Sequence, residues 1–332
     1  MKKDMLYTLT ETTVSNKLKD MRENPERSVR NLIDLGLLFS RGNFQNSFLT
    51  SAQTMLQNEN SPYYKLIDNV VNGVDHQRLL TFGMNLGYNS FKNGSKDIRK
   101  NEKILNCIIP WEITLHISSS SFETHKHNYD KLFSDGEKLG IYSWIIFLDK
   151  PCLDFLELVK KYTNSVFFIF LDDCNMDNYF WDCVETLNNI MLLIELDKNN
   201  RHVYKKLKNK KLLYSLYYKY SQKNIDLILD GSILHFAEQY NPFFTVFVSH
   251  PYCNVNTRKI AYEISEHTRT EQRYSTIAWE LFYSNAYIDK IISGKSRYIA
   301  FDSYGNLCNV NGKSMGTDNI FCSDLVSILK SK

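Results

Sequence analysis

The sequence predicts an α/β protein: a partial (β/α)6 barrel of TIM type, an all-helical N-terminal region before it and a small C-terminal extension after it. Three observations carry this expectation. Up to about Lys103 the apolar residues recur at helical spacing. After Pro110 short β-rich runs alternate with amphipathic stretches of roughly ten to fifteen residues, the rhythm of βαβ units. The runs end in polar residues, as strands opening onto a barrel mouth would. The expected boundaries are 1–108 for the helical region, 109–270 for the barrel and 271–332 for the extension.

The helical region is read from its apolar spacing. Val29, Leu32 and Ile33 form one pattern, Phe48, Leu49, Ala52 and Met55 a second, and Leu66, Ile67, Val70, Val71 and Val74 a third. Ser61-Pro62 supplies an N-cap and a proline at the first helical position, which sets the start of the third helix. The segment "TFGMNLGYNSFKNG" then introduces Gly83, Gly87 and Gly94, which permit either close helix packing or a sharp turn. No linker rich in Gly, Ser or Pro separates this region from Pro110, so it is expected to pack on the barrel.

Six β-rich runs follow: "IPWEITLHIS", "YSWIIFLDK", "SVFFIFLDD", "IMLLIELDK", "LLYSLYYKY" and "FFTVFVSHPY". Helical patterns lie between them, such as Tyr129, Leu132, Phe133 and Leu139, or Leu153, Leu156 and Val159. Strands separated by helices imply right-handed crossovers and a parallel sheet. Alternation along the first run puts Trp111, Ile113, Leu115 and Ile117 on one face and Glu112, Thr114, His116 and Ser118 on the other. The polar set is expected to face the lumen, joined there or at its rim by Asp149, Glu195, Asp197, Ser215, Tyr217, Lys219, Thr245 and Ser249. The candidate ligand-binding residues are therefore Glu112, His116, Asp149, Glu195, Asp197, Tyr217 and Lys219. A lumen serving only as packing would be filled with branched apolar side chains, so a polar one suits a polar ligand.

Composition limits the function classes. The 332 residues are 43% hydrophobic and 14% aromatic, enough for a large core. A formal net charge of +3 from 40 basic and 37 acidic residues leaves no overall footprint for nucleic acid. No segment reaches the roughly 18 apolar residues of a membrane span, and the start "MKKDMLYTLTETTVSNK" has no apolar signal core, so a cytoplasmic protein with no membrane partner is expected. The cysteines at 107, 152, 174, 183, 253, 308 and 322 lie far apart. Their spacing argues against a local zinc or iron-sulfur site, and the odd number fits reduced thiols.

The order of elements from Pro110 to Leu329 resembles the radical SAM superfamily, an open (β/α)6 barrel with a C-terminal extension. In that family a CxxxCxxC loop after the first strand holds a [4Fe-4S] cluster, and a GGEP turn after the second receives the amino group of S-adenosylmethionine. Here the first loop reads "SSSSFETHKHN", without a cysteine, and the second turn reads "LDKPCL", in which only Pro151 matches. The tail "YIAFDSYGNLCNVNGKSMGTDNIFCSDLVSIL" resembles a SPASM or twitch extension with Gly305 to Cys308 in its hairpin, but Cys308 and Cys322 alone cannot hold an auxiliary cluster. The resemblance therefore implies a degenerate member: no cofactor is expected, a [4Fe-4S] cluster least of all.

Other features have plainer readings beside the functional ones. His125 and His127, near His116, could converge on a metal, but such a pair is more often solvated loop; no metal ligand is assigned. Asp172 and Asp173 are expected to cap the following helix, while Glu195 and Asp197 divide evenly between capping and ligand binding. The lysine-rich stretch from Lys205 to Tyr214 reads as solvated surface, with no interleaved aromatics for base stacking. Two function classes follow. The first is a binding or partner protein, in peptide modification for instance, whose partner is a peptide, a protein or a small polar ligand. The alternative is a non-radical enzyme on the same barrel, such as a metal-assisted hydrolase or transferase using His116, Glu195, Asp197 and Lys219.

Overall fold

The computed structural model describes residues 5–39 and 43–331. The first four residues of the quoted start and the Phe48 side chain lie outside the described parts. The chain divides into two compact units: residues 1–84, 196–249 and 253–284 form one, and 85–195, 250–252 and 285–332 the other. Elements are numbered in chain order.

The first unit opens with five helices: α1 (Met5–Glu23), α2 (Pro25–Phe39), α3 (Asn43–Met55), α4 (Pro62–Gly73) and α5 (His76–Met84). Helix α4 starts where the sequence places it, with Ser61 accepting a hydrogen bond from Tyr63 N and Pro62 in the first turn. The sequence pattern began only at Pro25 and missed α1, whose buried residues Tyr7, Leu18 and Met21 are too sparse to form a stripe. Three parallel strands complete this unit: β5 (Tyr214–Tyr220), β6 (Phe244–Ser249) and β7 (Ile277–Glu280), in that order. Before β5 runs α10 (Arg201–Asn209), and between the strands run α11 (Asp226–Leu229), α12 (Ser232–Glu238) and α13 (Val255–Glu271). The helical layer docks on this part: Asp75 N donates to Lys211 O at 2.9 Å and Tyr63 OH to Arg269 O at 3.4 Å.

The second unit begins with a π-helix at Asn85–Gly94 and α6 (Ser95–Leu105). Neither a plain helix contact nor a sharp turn describes the glycine segment; it is an underwound, wider insert held by amide side chains. Asn85 Nδ2 donates to Thr163 O at 2.7 Å, Asn89 Nδ2 to Asn164 O at 3.0 Å, and Ser90 and Ser143 share a buried 2.8 Å hydrogen bond. Gly94 has to be glycine: a Cβ there would stand 2.5 Å from the carbonyl oxygen of Gly140.

Strands β1 (Glu112–Ile117), β2 (Ser143–Leu148), β3 (Val166–Leu171) and β4 (Ile190–Glu195) lie parallel and in sequence order. Helices α7 (Ser119–Leu139), α8 (Leu153–Val159) and α9 (Asn178–Thr186) return the chain between them. Their near-continuous apolar runs are buried on both faces, as a parallel sheet requires. Phe133 of α7 packs edge-on to Trp144, Phe155 and Phe167, with centroids 4.6, 6.4 and 5.3 Å away. Each such ring removes on the order of 200 Å2 from water, about 5 kcal/mol before entropy is counted.

After α14 (Leu281–Ser293), the tail adds β8 (Ala300–Phe301) parallel to β1, then β9 (Asn306–Cys308), β10 (Ser314–Asn319) and α15 (Leu325–Lys330). Gly305 sits in the left-handed region at the β8–β9 turn, inside the expected hairpin. The α/β class, with its parallel strands and intervening helices, is as the sequence predicts; β7 was missed because four residues make too short a run to show alternation.

Candidate functional site

In parallel α/β folds the turns after the strands carry the chemistry. The turn after β1 is short. Ser118 ends it in an extended conformation, and its hydroxyl accepts from Ser121 N at 3.2 Å, so α7 starts at once. The expected loop "SSSSFETHKHN" is therefore helix, and His125 and His127 lie on α7. His125 marks a kink there, its ring stacked 3.9 Å from Phe321. Strong N-capping by serine overrides the loop-like composition.

Asp149, one residue past β2, fastens this turn from the side. Its Oδ1 accepts from Ser119 N at 3.1 Å, Ser119 Oγ at 3.2 Å and Lys150 N at 2.8 Å, while its own N–H donates to Ile117 O. The candidate carboxylate is thus engaged as a clasp on the start of α7. Asp172 and Asp173 do not cap the helix after β3; Asp177 does, accepting from Phe180 N at 2.8 Å, because the turn runs several residues beyond them. Asp173 instead accepts from Asn175 N.

His116 and Glu112 share a face of β1 but not a site. Four residues separate them, about 13 Å along the strand. Exposed His116 stacks on Phe147 of β2 at 4.7 Å and 11°, and Phe147 stacks on Phe170 of β3 at 4.4 Å and 24°. Direct register neighbours at the penultimate positions of three strands thus form a ladder of rings. The sequence reading passed over Phe147 and Phe170, although lining up the strand ends would have found them. Phe170 is fully buried, so only exposed His116 and half-buried Phe147 are placed to take the flat side of an apolar or aromatic group.

Glu112 is 5% exposed at the amino end of β1. Burial first, then the charge of Asp289, push its carboxyl up to about 8, against hydrogen bonds from Thr114 and Asn285 that favour the ionised form. Asp289 of α14 accepts from Trp111 N at 2.9 Å and is pushed up to about 7, chiefly by burial. Glu195, partly exposed, ends β4. Its charge, with those of Asp173 and Asp172, adds to the burial that raises the Cys174 thiol to about 11.

In the first unit, Asp197 accepts from Asn199 N at 2.7 Å and caps a short 3-10 turn, while Tyr204 OH binds its backbone N–H and carbonyl. Tyr217 is fully buried, with the Lys219 ammonium 5.7 Å from its ring centre. Ser215 and Thr245, expected in the lumen, are buried and bonded to Phe244 N and Thr276 Oγ1.

A polar cluster at the carboxyl ends of β5 and β7 went unread in the sequence. Glu280, fully buried, accepts from Tyr220 OH at 3.0 Å and Tyr283 N at 2.7 Å, and burial raises it to about 7 against the opposing charge of Arg258. Arg258 donates to Cys253 O at 2.7 Å. An arginine on the buried face of α13 breaks the amphipathic pattern, so no periodicity could point to it. Among the described residues no group of three or more His, Cys, Asp or Glu side chains could hold a metal ion, and no helix is long and apolar enough to cross a membrane.

No protein-family profile matches the sequence, and no curated protein matches it either. Solved structures do. Streptococcus suis SuiB bound to precursor peptide SuiA superposes with a TM-score of 0.52 at 11% identity, over 70% of this chain and 68% of that one. SuiB bound to S-adenosylmethionine gives 0.49 at 11% identity over 70% and 67%, and SuiB alone 0.48 at 10% over 70% and 69%. At this identity the first likeness is one of fold. It supports an α/β architecture of parallel strands and intervening helices shared with that structure.

Proposed function

We propose that this chain is a degenerate radical-SAM-like protein with no iron-sulfur cluster after β1, acting as the peptide-binding or partner component of a peptide-modifying pathway. The closed β1–α7 turn carries this reading. Where the fold's relatives by resemblance place three thiolates, this chain has Ser118, Ser119 and the Asp149 clasp. A cluster demands thiolate ligands, and the nearest candidate in the next turn, Cys152, is a lone buried thiol whose ionisation burial disfavours. The residues present do not fit the cluster. The likeness to a peptide-bound structure supports a peptide partner, and the exposed His116 ring with half-buried Phe147 beside it, backed by buried Phe170, offers a surface on which a peptide side chain could lie. On this reading the tail from β8 onward is a SPASM- or twitch-like extension without auxiliary clusters.

Anaerobic reconstitution with iron and sulfide tests the proposal. The expected result is no stoichiometric iron and no cluster absorbance. Stoichiometric cluster absorbance that disappears in Cys152→Ala would overturn it.

A further inference from the structure

Helix α10 and its flanks are rich in lysine. Every charged residue from Lys198 to Lys223 is basic, in a chain whose formal net charge is only +3. Folding sorts these charges. Helix α10 buries Val203, Tyr204 and Leu207 and leaves Arg201, Lys205 and Lys208 exposed at spacings of four and three, a cationic stripe about 10 Å long. The Arg201 guanidinium is steadied 5.8 Å above the Phe236 ring.

The stripe ends at a cavity of about 260 Å3 to which Lys208 belongs. Its apolar wall is Val70, Leu213 and Phe243, and its polar wall includes Asn69 and Asn241. Lys208 Nζ lies 3.2 Å from the Asn241 side-chain amide. The cavity's acidic residue, Asp68, already accepts from Asn72 Nδ2 at 2.8 Å. A row of cations ending at a hollow lined by both amides and hydrocarbon matches an extended chain that presents carboxylates and then one apolar side chain.

We infer that α10 and the adjoining cavity form a docking surface for an acidic peptide segment with an apolar anchor residue. Charge complementarity over the stripe steers and registers such a segment, and the anchor slows its departure. Nucleic acid fits less well, because base stacking needs exposed rings and the stripe offers none. The inference rests on the peptide-binding reading above and gives that peptide a chemistry and a place.

The test uses the full chain and a fluorescein-labelled peptide alternating Glu and Leu, read by anisotropy at about 0.15 M salt. Saturable binding that weakens with added salt is expected. Lys205→Glu combined with Lys208→Glu should weaken it about tenfold or more while the melting temperature holds, since both side chains are exposed. Asn69→Trp, which fills the cavity without changing charge, should weaken binding with an unchanged salt dependence. Equal affinity in the charge-reversed variant overturns this surface and leaves peptide binding elsewhere intact. No binding of the acidic peptide at all, or tighter binding of a single-stranded oligonucleotide of matched charge, overturns the inference too. Iron reconstitution, which tests the parent reading, is independent of every one of these outcomes.

Discussion

The Glu112 carboxyl, buried where β1 begins, faces the carboxyl of Asp289 on α14, and that negative neighbour adds to burial in holding its proton. Asp289 in turn bridges Trp111 N and Arg297 N, and burial, with the charge of Glu102 added, makes it harder to ionise. Both folded-state values, about 8 and about 7, lie above the ordinary carboxylate range. The native state therefore binds more protons than the unfolded chain between that range and about pH 8. Stability from this pair is full below about pH 4 and declines as pH rises to about 8. Glu112→Gln keeps the shape without the charge, so its melting temperature should exceed that of the parent at pH 8 and depend less on pH. Identical pH profiles for parent and variant would rule this out.

Gly136 lies in the last turn of α7 because Trp144 fills the space a side chain would take. A Cβ there would meet the indole at 2.6 Å. Trp144 is fully buried and cannot retreat, so the usual gain in helix propensity from Gly to Ala is outweighed. Gly136→Ala should cost about 1–3 kcal/mol in urea unfolding. A more stable variant would show that the helix can shift.

Asp149→Ala removes three acceptor contacts from the start of α7 and the Lys150 backbone. A loss of about 0.5–2 kcal/mol is expected, the range of an N-cap. Amide exchange at Ser119 should quicken while β2 stays protected. Unchanged exchange at Ser119 would mean that the clasp adds nothing.

Limited proteolysis should not release a stable fragment beginning near Pro110. Helix α4 and the turn that follows it are bonded to the α13 and β5 regions through Tyr63 and Asp75, so removing the helical layer strips the cover from those elements. A protease-resistant, cooperatively melting fragment starting there would establish the helical region as a separate domain.

The strands were legible because apolar runs such as "VFFIFL" have few alternatives, and α4 because Ser61-Pro62 states its own beginning. Capping chemistry was harder to place: Asp177, not Asp172 or Asp173, closes α9, and only three-dimensional spacing selects among neighbouring aspartates. Alternation correctly put Glu112 and His116 on one face but says nothing about which end of a strand a residue occupies. Glu112's true neighbour, Asp289, comes from a helix far along the chain, and Glu280 ends a strand too short to be recognised. Pairings of that kind depend on long-range packing, which a local pattern does not encode.

Strand β10 is the outermost of its sheet, and most of its side chains face water. An open strand of that sort invites the same strand of another molecule to align beside it, the first step toward fibres. Here Gly312 and Gly316 take left-handed backbone angles, and the pairing with β9 slips register between Ser314 and Asn319. The bent edge gives a neighbouring chain no straight template, so concentrated solutions of this protein should stay free of thioflavin-binding aggregates for as long as the fold holds.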